Sequence, residues 1–261
     1  MTTLQAPHVL AVRARHRHAE AWQWLLLTLA SIAVFVTWPE IDLAVSAAAR
    51  QVAGDPVDGA PAWAWGQLML VQASYWSVPT LGRLSLLATV VLLLLPRRLL
   101  RRPQAVALRR WRGRAPWIVA MLVLGVGLLV NAGFKEHWGR PRPAGVQTLG
   151  GELPFRTIAQ PSSLCRSNCA FPSGHAAQGY ALMVVGVLGA PHRRRAWRRA
   201  GLVAGLLIGA GRVLQGGHFL SDILFSGLMI WGLTLLLRQA AVMHRARRRV
   251  TSPSPKRPTL F

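Results

Sequence analysis

Residues 96–143 read PRRLLRRPQAVALRRWRGRAPWIVAMLVLGVGLLVNAGFKEHWGRPRP. Eight arginines fall within 96–116; the 18 residues Trp117–Phe134 then carry no charge at all, and Lys135 ends the run. That length is close to the ~20 residues with which an α-helix crosses a ~30 Å hydrocarbon core. A helix at the surface of a soluble domain would show a polar stripe every few residues, and this one does not. The arginines crowd one end only, which marks a helix pinned at the cytoplasmic face.

Five further runs repeat the pattern, at 21–38, 79–95, 175–190, 200–217 and 219–237, within a chain of 261 residues that is 52% hydrophobic. Mean hydropathy is +0.32. The expected fold is an all-α polytopic membrane protein with six transmembrane helices. Its net charge of +23 suggests nucleic acid at first sight. Placement argues otherwise. Of 31 Lys and Arg, three lie in 1–20, eight in 96–116, five in 191–199 and seven in 238–261. Six crossings with both termini cytoplasmic put all four basic segments on one side, where anionic lipid adds attraction. No nucleic-acid partner is expected.

The first run has a basic lead but is 18 residues long and flanked by Trp22, Trp24 and Trp38, so it reads as an anchored helix rather than a cleaved signal. Trp63 and Trp65 suggest interfacial helices in 43–76. Residues 1–249 form one membrane domain, and the Pro-rich basic tail 250–261 reads as disordered.

Eight cations stand apart from the basic blocks: Arg50, Arg83, Lys135, Arg140, Arg142, Arg156, Arg166 and Arg212. Most fall at the outer ends of runs three to five or in the loop between them, with His137, His175, His218 and Asp222. Ionisable groups at membrane depth are costly and mark function. Scarce paired carboxylates argue against glycoside hydrolysis and hard-metal sites. Two cysteines are too few for a Cys-based zinc site, while a His-rich mixed site stays open on composition. Clustered Lys and Arg suit a phosphoryl group. NCAFPSGH (168–175), just before run four, reads either as a plain helix start or as an anion-binding one.

Three motifs follow in order: Lys135, six residues, Arg142-Pro143; Pro172-Ser173-Gly174-His175; and Arg212, five residues, His218, three residues, Asp222. This triplet resembles the signature of the type 2 phosphatidic acid phosphatase superfamily, which also includes vanadium haloperoxidases and glucose-6-phosphatase. The resemblance implies that His218 is the nucleophile that forms a phosphohistidine, and that Asp222, four residues on, orients its ring. His175 would be general acid, then base. Lys135, Arg142 and Arg212 would bind the phosphoryl oxygens, with Ser173 and Gly174 completing the cradle. The same chemistry needs no metal and no cofactor.

Gly211 stands where the family commonly has Ser, and His137 and Arg140 match no defined position, His137 reading as a surface residue. Cys165 and Cys169 lie just ahead of the second motif. Two arrangements stay open for them: a short-loop disulfide in an oxidising periplasm, which would pin the approach to the cradle, or two free thiols.

The implied substrate is a membrane lipid phosphate presented at the periplasmic surface of a bacterial inner membrane. Family likeness offers lipid A phosphates, undecaprenyl pyrophosphate and phosphatidylglycerol phosphate. LGGELPF (149–155) with CRSNCAFPSGH is similar to a Gram-negative branch that includes lipid A phosphatases. Transfer to a lipid acceptor and non-catalytic lipid binding are the rival readings. Oligomeric state has no signal in the sequence.

Overall fold

A computed structural model describes residues 7–51 and 63–251. The main helices are α1 Pro7–Thr37, α2 Glu40–Gln51, α3 Met69–Leu94, the short α4 Arg97–Leu100, α5 Val106–Ala120, α6 Gly174–Tyr180, α7 Pro191–Leu214 and α8 Leu220–Thr251. The chain of α5 continues in the wider π register through Met121–Lys135, and that of α6 in a tighter 3-10 turn, Ala181–Gly186. Among the described residues there is no strand, only one isolated bridge between Val146 and Leu153.

Four helical stretches are long and apolar enough to cross a membrane: His18–Thr37, Met69–Leu94, Pro103–Lys135 and Leu220–Arg247. Two of the six expected runs are not among them. Run four folds as the short α6 with its 3-10 extension. Run five lies in α7, whose first third, PHRRRAWRR, is strongly basic. Elsewhere the helices outrun the apolar stretches. α3 starts at Met69 rather than 79 and carries Pro79 inside it. α2 occupies part of the segment expected to lie at the interface, and the tail beyond Thr251 falls outside the described residues.

Burial separates outer helices from inner ones. Only 6% of the α1 and α3 spans is buried, against 44% of the α8 span. Leu26, Leu29, Leu81, Leu84 and Leu87 point outward from α1 and α3, as lipid-facing side chains must. α6 lies at the centre: Ala176, Ala177, Gly179 and Tyr180 are all buried, and its 3-10 extension adds Met183, Val184 and Val185.

Close approach to α6 depends on Gly201, Gly205 and Gly209, spaced four apart on one face of α7. A methyl group on Gly205 would collide with the Tyr180 ring, and one on Gly209 with Ile223 of α8. Small residues at such spacing let helix backbones touch where lipid offers no hydrophobic drive. α1 is tied to α8 by Trp24, whose indole N–H donates to the Leu228 carbonyl at 2.8 Å.

The turn from α7 to α8 is set by Gly216, at φ +60°. A side chain there would also enter the Trp63 ring. Its carbonyl accepts from Ala144 N–H at 3.0 Å, drawing the loop after α5 toward this turn. The ends of α5 and α7 and the starts of α6 and α8 thereby meet at one end of the bundle.

Candidate active site

The N-terminus of α8 exposes backbone N–H groups that no helical carbonyl can satisfy. Asp222, in the first turn, reaches back so that its Oδ2 accepts from Phe219 N–H at 2.8 Å, as the third residue of a capping box does. Its Oδ1 accepts from Arg140 Nη1 at 2.6 Å. Arg140 Nη2 in turn meets Asp42 Oδ2 of α2 at 2.8 Å, and Asp42 Oδ1 accepts from Ser221 N–H at 2.8 Å. Arg140 also donates to Ser221 Oγ and, from Nε, to the Arg156 carbonyl, each at 2.8 Å. All four of these residues are buried. One guanidinium thus bridges two carboxylates remote in sequence, with the Phe219 ring 4.3 Å from it.

Arg140 acts through its backbone as well. Its carbonyl accepts from Ala170 N–H at 2.9 Å, and the Ala170 carbonyl lies 2.6 Å from His218 Nδ1. A carbonyl can only accept, so Nδ1 carries the proton and the lone pair of the neutral ring is on Nε2. Nε2 is buried and has no hydrogen-bond partner among the described residues. Asp222 Oδ2 stands 3.7 Å from Nδ1, beyond hydrogen-bond reach. The orienting contact expected from Asp222 is made by a main-chain carbonyl instead, because the helix start and Arg140 engage the carboxylate more closely.

His218 is fully buried, and burial first, then the cations Lys135, Arg212 and Arg142, holds its pKa well below the ordinary imidazole value. The ring is therefore expected to stay neutral through pH 6. Nitrogen-15 NMR of histidine-labelled protein should show the Nδ1–H tautomer unchanged between pH 7.5 and 6. A doubly protonated signal growing in near pH 6.5 would contradict this.

The start of α6 carries the second motif. Ser173 caps α6, its Oγ accepting from Ala176 N–H at 3.4 Å, and its own N–H donates to the Asp222 carbonyl at 3.3 Å. Gly174 packs closely, since a methyl group there would sit 2.5 Å from Asn131 Oδ1 and push that side chain aside. His175 Nε2 lies 3.2 Å from the Tyr75 carbonyl, with the two rings stacked at 5.0 Å. The Arg212 guanidinium covers Tyr75 at 4.7 Å from its centroid and also bonds to Gln215. Arg142 donates twice to the Asn168 carbonyl, at 3.1 and 2.7 Å. Lys135 is buried, while His137 is exposed as expected.

Cys165 and Cys169 are paired, with Cα atoms 5.7 Å apart. The bridge closes the loop next to Ala170, whose carbonyl holds His218. Among the described residues no group of three or more His, Cys, Asp or Glu is placed to hold a metal ion.

Asp42, Tyr75 and Ala170 escaped the sequence reading, and Arg140, though noted there, had no role in it. Asp42 left a faint trace, being one of only eight acidic residues in a chain of 31 Lys and Arg. Tyr75 is one of two tyrosines. Nothing local in the sequence ties either to the motifs.

A buried imidazole with one nitrogen fixed and the other bare, ringed by three cations on a helical membrane scaffold, defines a class of protein. The chain belongs to the PAP2 superfamily, whose profile matches residues 115–246. Within it, the chain is 38% identical over 123 residues to a lipid A 4′-phosphatase of Francisella tularensis subsp. novicida (strain U112), covering 47% of this chain and 55% of that one. It is likewise 38% identical over 123 residues to a lipid A 4′-phosphatase of Rhizobium leguminosarum, covering 46% and 52%. One from Rhizobium etli is 35% identical over 122 residues. The chain thus spans about half the length of the curated relatives it matches. No solved structure matches it.

Proposed function

We propose that this chain is an integral membrane lipid phosphatase that removes a phosphate from lipid A at the periplasmic face through a phosphohistidine. The observation that carries the reading is the bare, unprotonated Nε2 of His218 within the field of Lys135, Arg142 and Arg212. The names of its relatives support lipid A, and the 4′-phosphate in particular, as the substrate.

In the first step Nε2 attacks phosphorus and the bond to the lipid oxygen breaks. The cations spread the charge of the equatorial oxygens, with the Ser173 hydroxyl and the Gly174 amide completing the cradle. His175 gives its proton to the departing oxygen. It then takes one from water, which attacks the phosphohistidine and frees His218. Asp222 acts here as the residue that fixes the start of α8 and anchors Arg140.

The topology belongs to the same proposal: six crossings, made by α1, α3, the continuous α5, α6 with its extension, α7 and α8, with all four basic segments cytoplasmic. A single cysteine placed in the 150–160 loop, in a background with Cys165 and Cys169 replaced, should react with an impermeant thiol reagent on intact spheroplasts. Labelling only after lysis would invert the arrangement.

Phosphate release from lipid A by the purified protein tests the activity. The rate should persist in EDTA and fall with vanadate, which mimics the five-coordinate phosphoryl. Release from undecaprenyl pyrophosphate or phosphatidylglycerol phosphate alone would move the substrate assignment. Label appearing on an acceptor lipid rather than in free phosphate would make the protein a transferase. No release from any of them would leave a lipid-binding protein.

A further inference from the structure

At the opposite end of α5 from Lys135, a cavity of ≈ 1230 Å³ opens between α3, α4, α5 and α8. Five arginines line it: Arg97, Arg101, Arg109, Arg112 and Arg245. His244 joins them, and among the described residues no carboxylate does. Its floor is apolar, formed by Leu93, Leu100, Trp117 and Leu188 with Ala240 and Ala241 of α8.

Two of the five arginines are held in place by the fold. Arg112 donates to the Leu95 and Leu93 carbonyls, and Arg109 donates to those of Leu100 and Arg102 at 2.6 and 3.1 Å. The Leu93 and Leu95 carbonyls lie where α3 ends and the Leu100 carbonyl where α4 ends, so Arg112 caps the first helix and Arg109 the second. The side chains of Arg97, Arg101 and Arg245 have no hydrogen-bond or ion-pair partner among the described residues. Glu20 is engaged elsewhere, by Arg198 and Arg238. Two prearranged guanidiniums and three unengaged ones therefore face a shared space that no acidic side chain of the described residues lines.

We propose that this cavity binds the phosphodiester headgroup of an anionic phospholipid, with the start of an acyl chain on the apolar floor. Charge alone would suit any phosphate. The Leu93–Trp117–Leu188 floor, continuous with membrane-spanning helices, selects a lipid over a soluble anion. Placing the lipid in the inner leaflet rests on the topology proposed above; the cavity itself does not. Prefixed cations lower the entropy lost on binding, and basic pockets between membrane helices suit such headgroups.

The test uses the full-length protein in detergent, titrated with dioleoyl phosphatidylglycerol or dioleoyl phosphatidylcholine, with bound lipid counted by native mass spectrometry. One phosphatidylglycerol should be retained in preference to phosphatidylcholine. The triple variant Arg97→Gln, Arg101→Gln, Arg245→Gln should bind it about a hundredfold more weakly, from ~1 kcal/mol per cation. A control variant, Arg98→Gln, Arg102→Gln, Arg110→Gln, removes as many charges from the same end of the molecule outside the cavity and should bind as wild type does. Equal loss in the two variants, or no preference for the anionic lipid, would overturn the proposal. Displacement of the lipid by millimolar inorganic pyrophosphate would overturn the choice of a lipid. No arm measures turnover, so a failure of the phosphatase reading leaves the result interpretable.

Discussion

His218→Ala is expected to lower kcat/KM for phosphate release by about 10⁵-fold, in line with loss of a covalent nucleophile in enzymes whose site residues act as a unit. Trapping of a phosphoenzyme should vanish with it. The substitution also removes the hydrogen bond to the Ala170 carbonyl, so a folding defect could imitate a chemical one. His218→Asn separates the two. An asparagine amide can donate to the same carbonyl but has no basic nitrogen to attack phosphorus. Both variants should be inactive, with His218→Asn unfolding nearer the wild-type temperature. Normal turnover in either would remove His218 from the chemistry.

Arg140→Met is expected to cost about 3–5 kcal/mol of stability, the usual penalty for stripping one partner from a buried ion network. Its guanidinium is completely buried and is the ion-pair partner of both Asp42, at 2.8 Å, and Asp222, at 2.6 Å. Without it two carboxylates would share an apolar interior. Thermal unfolding in detergent measures the loss. Combining Arg140→Met with Asp42→Asn should recover part of it, because one orphaned charge disappears with the arginine. If Arg140→Met unfolds like wild type, the network does not hold α2, the Ala170 loop and α8 together. Reduced turnover in the surviving protein is also expected, since the Arg140 side chain holds Asp222 and Ser221 at the start of α8, just after His218.

The membrane character was plain from the sequence because it rests on composition over long windows, where single residues matter little. Helix boundaries were less so. α3 begins ten residues before its apolar run since Ser74, Ser77 and Thr80 turn their hydroxyls onto their own helix carbonyls, which hides their polarity from the surroundings. α6 resembled a crossing by hydropathy, yet folds as a short helix and a 3-10 turn inside the bundle, where an apolar surface is met by protein rather than lipid.

At the site, spacing picked out Lys135, Arg142, Arg212, His175 and His218, and the charges of the three cations act on both rings. What spacing could not convey was partner choice. His218 and Asp222 are four apart on one helical register, which suggests a direct bond. The competition for Asp222 is decided by Arg140, 82 positions away, and by a backbone amide. A main-chain carbonyl such as that of Ala170 leaves no mark in a sequence, because every residue has one. Asp42, 98 positions from Arg140, is invisible for the same reason of distance.

The central position of α6 carries over into biogenesis. The segment bearing His175 offers the surrounding hydrocarbon almost no face of its own and is too short to settle there as an independent span. During synthesis it emerges before α7 and α8, the helices that enclose it. A nascent chain halted ahead of them would hold His175 on a homeless stretch, a natural substrate for membrane quality control.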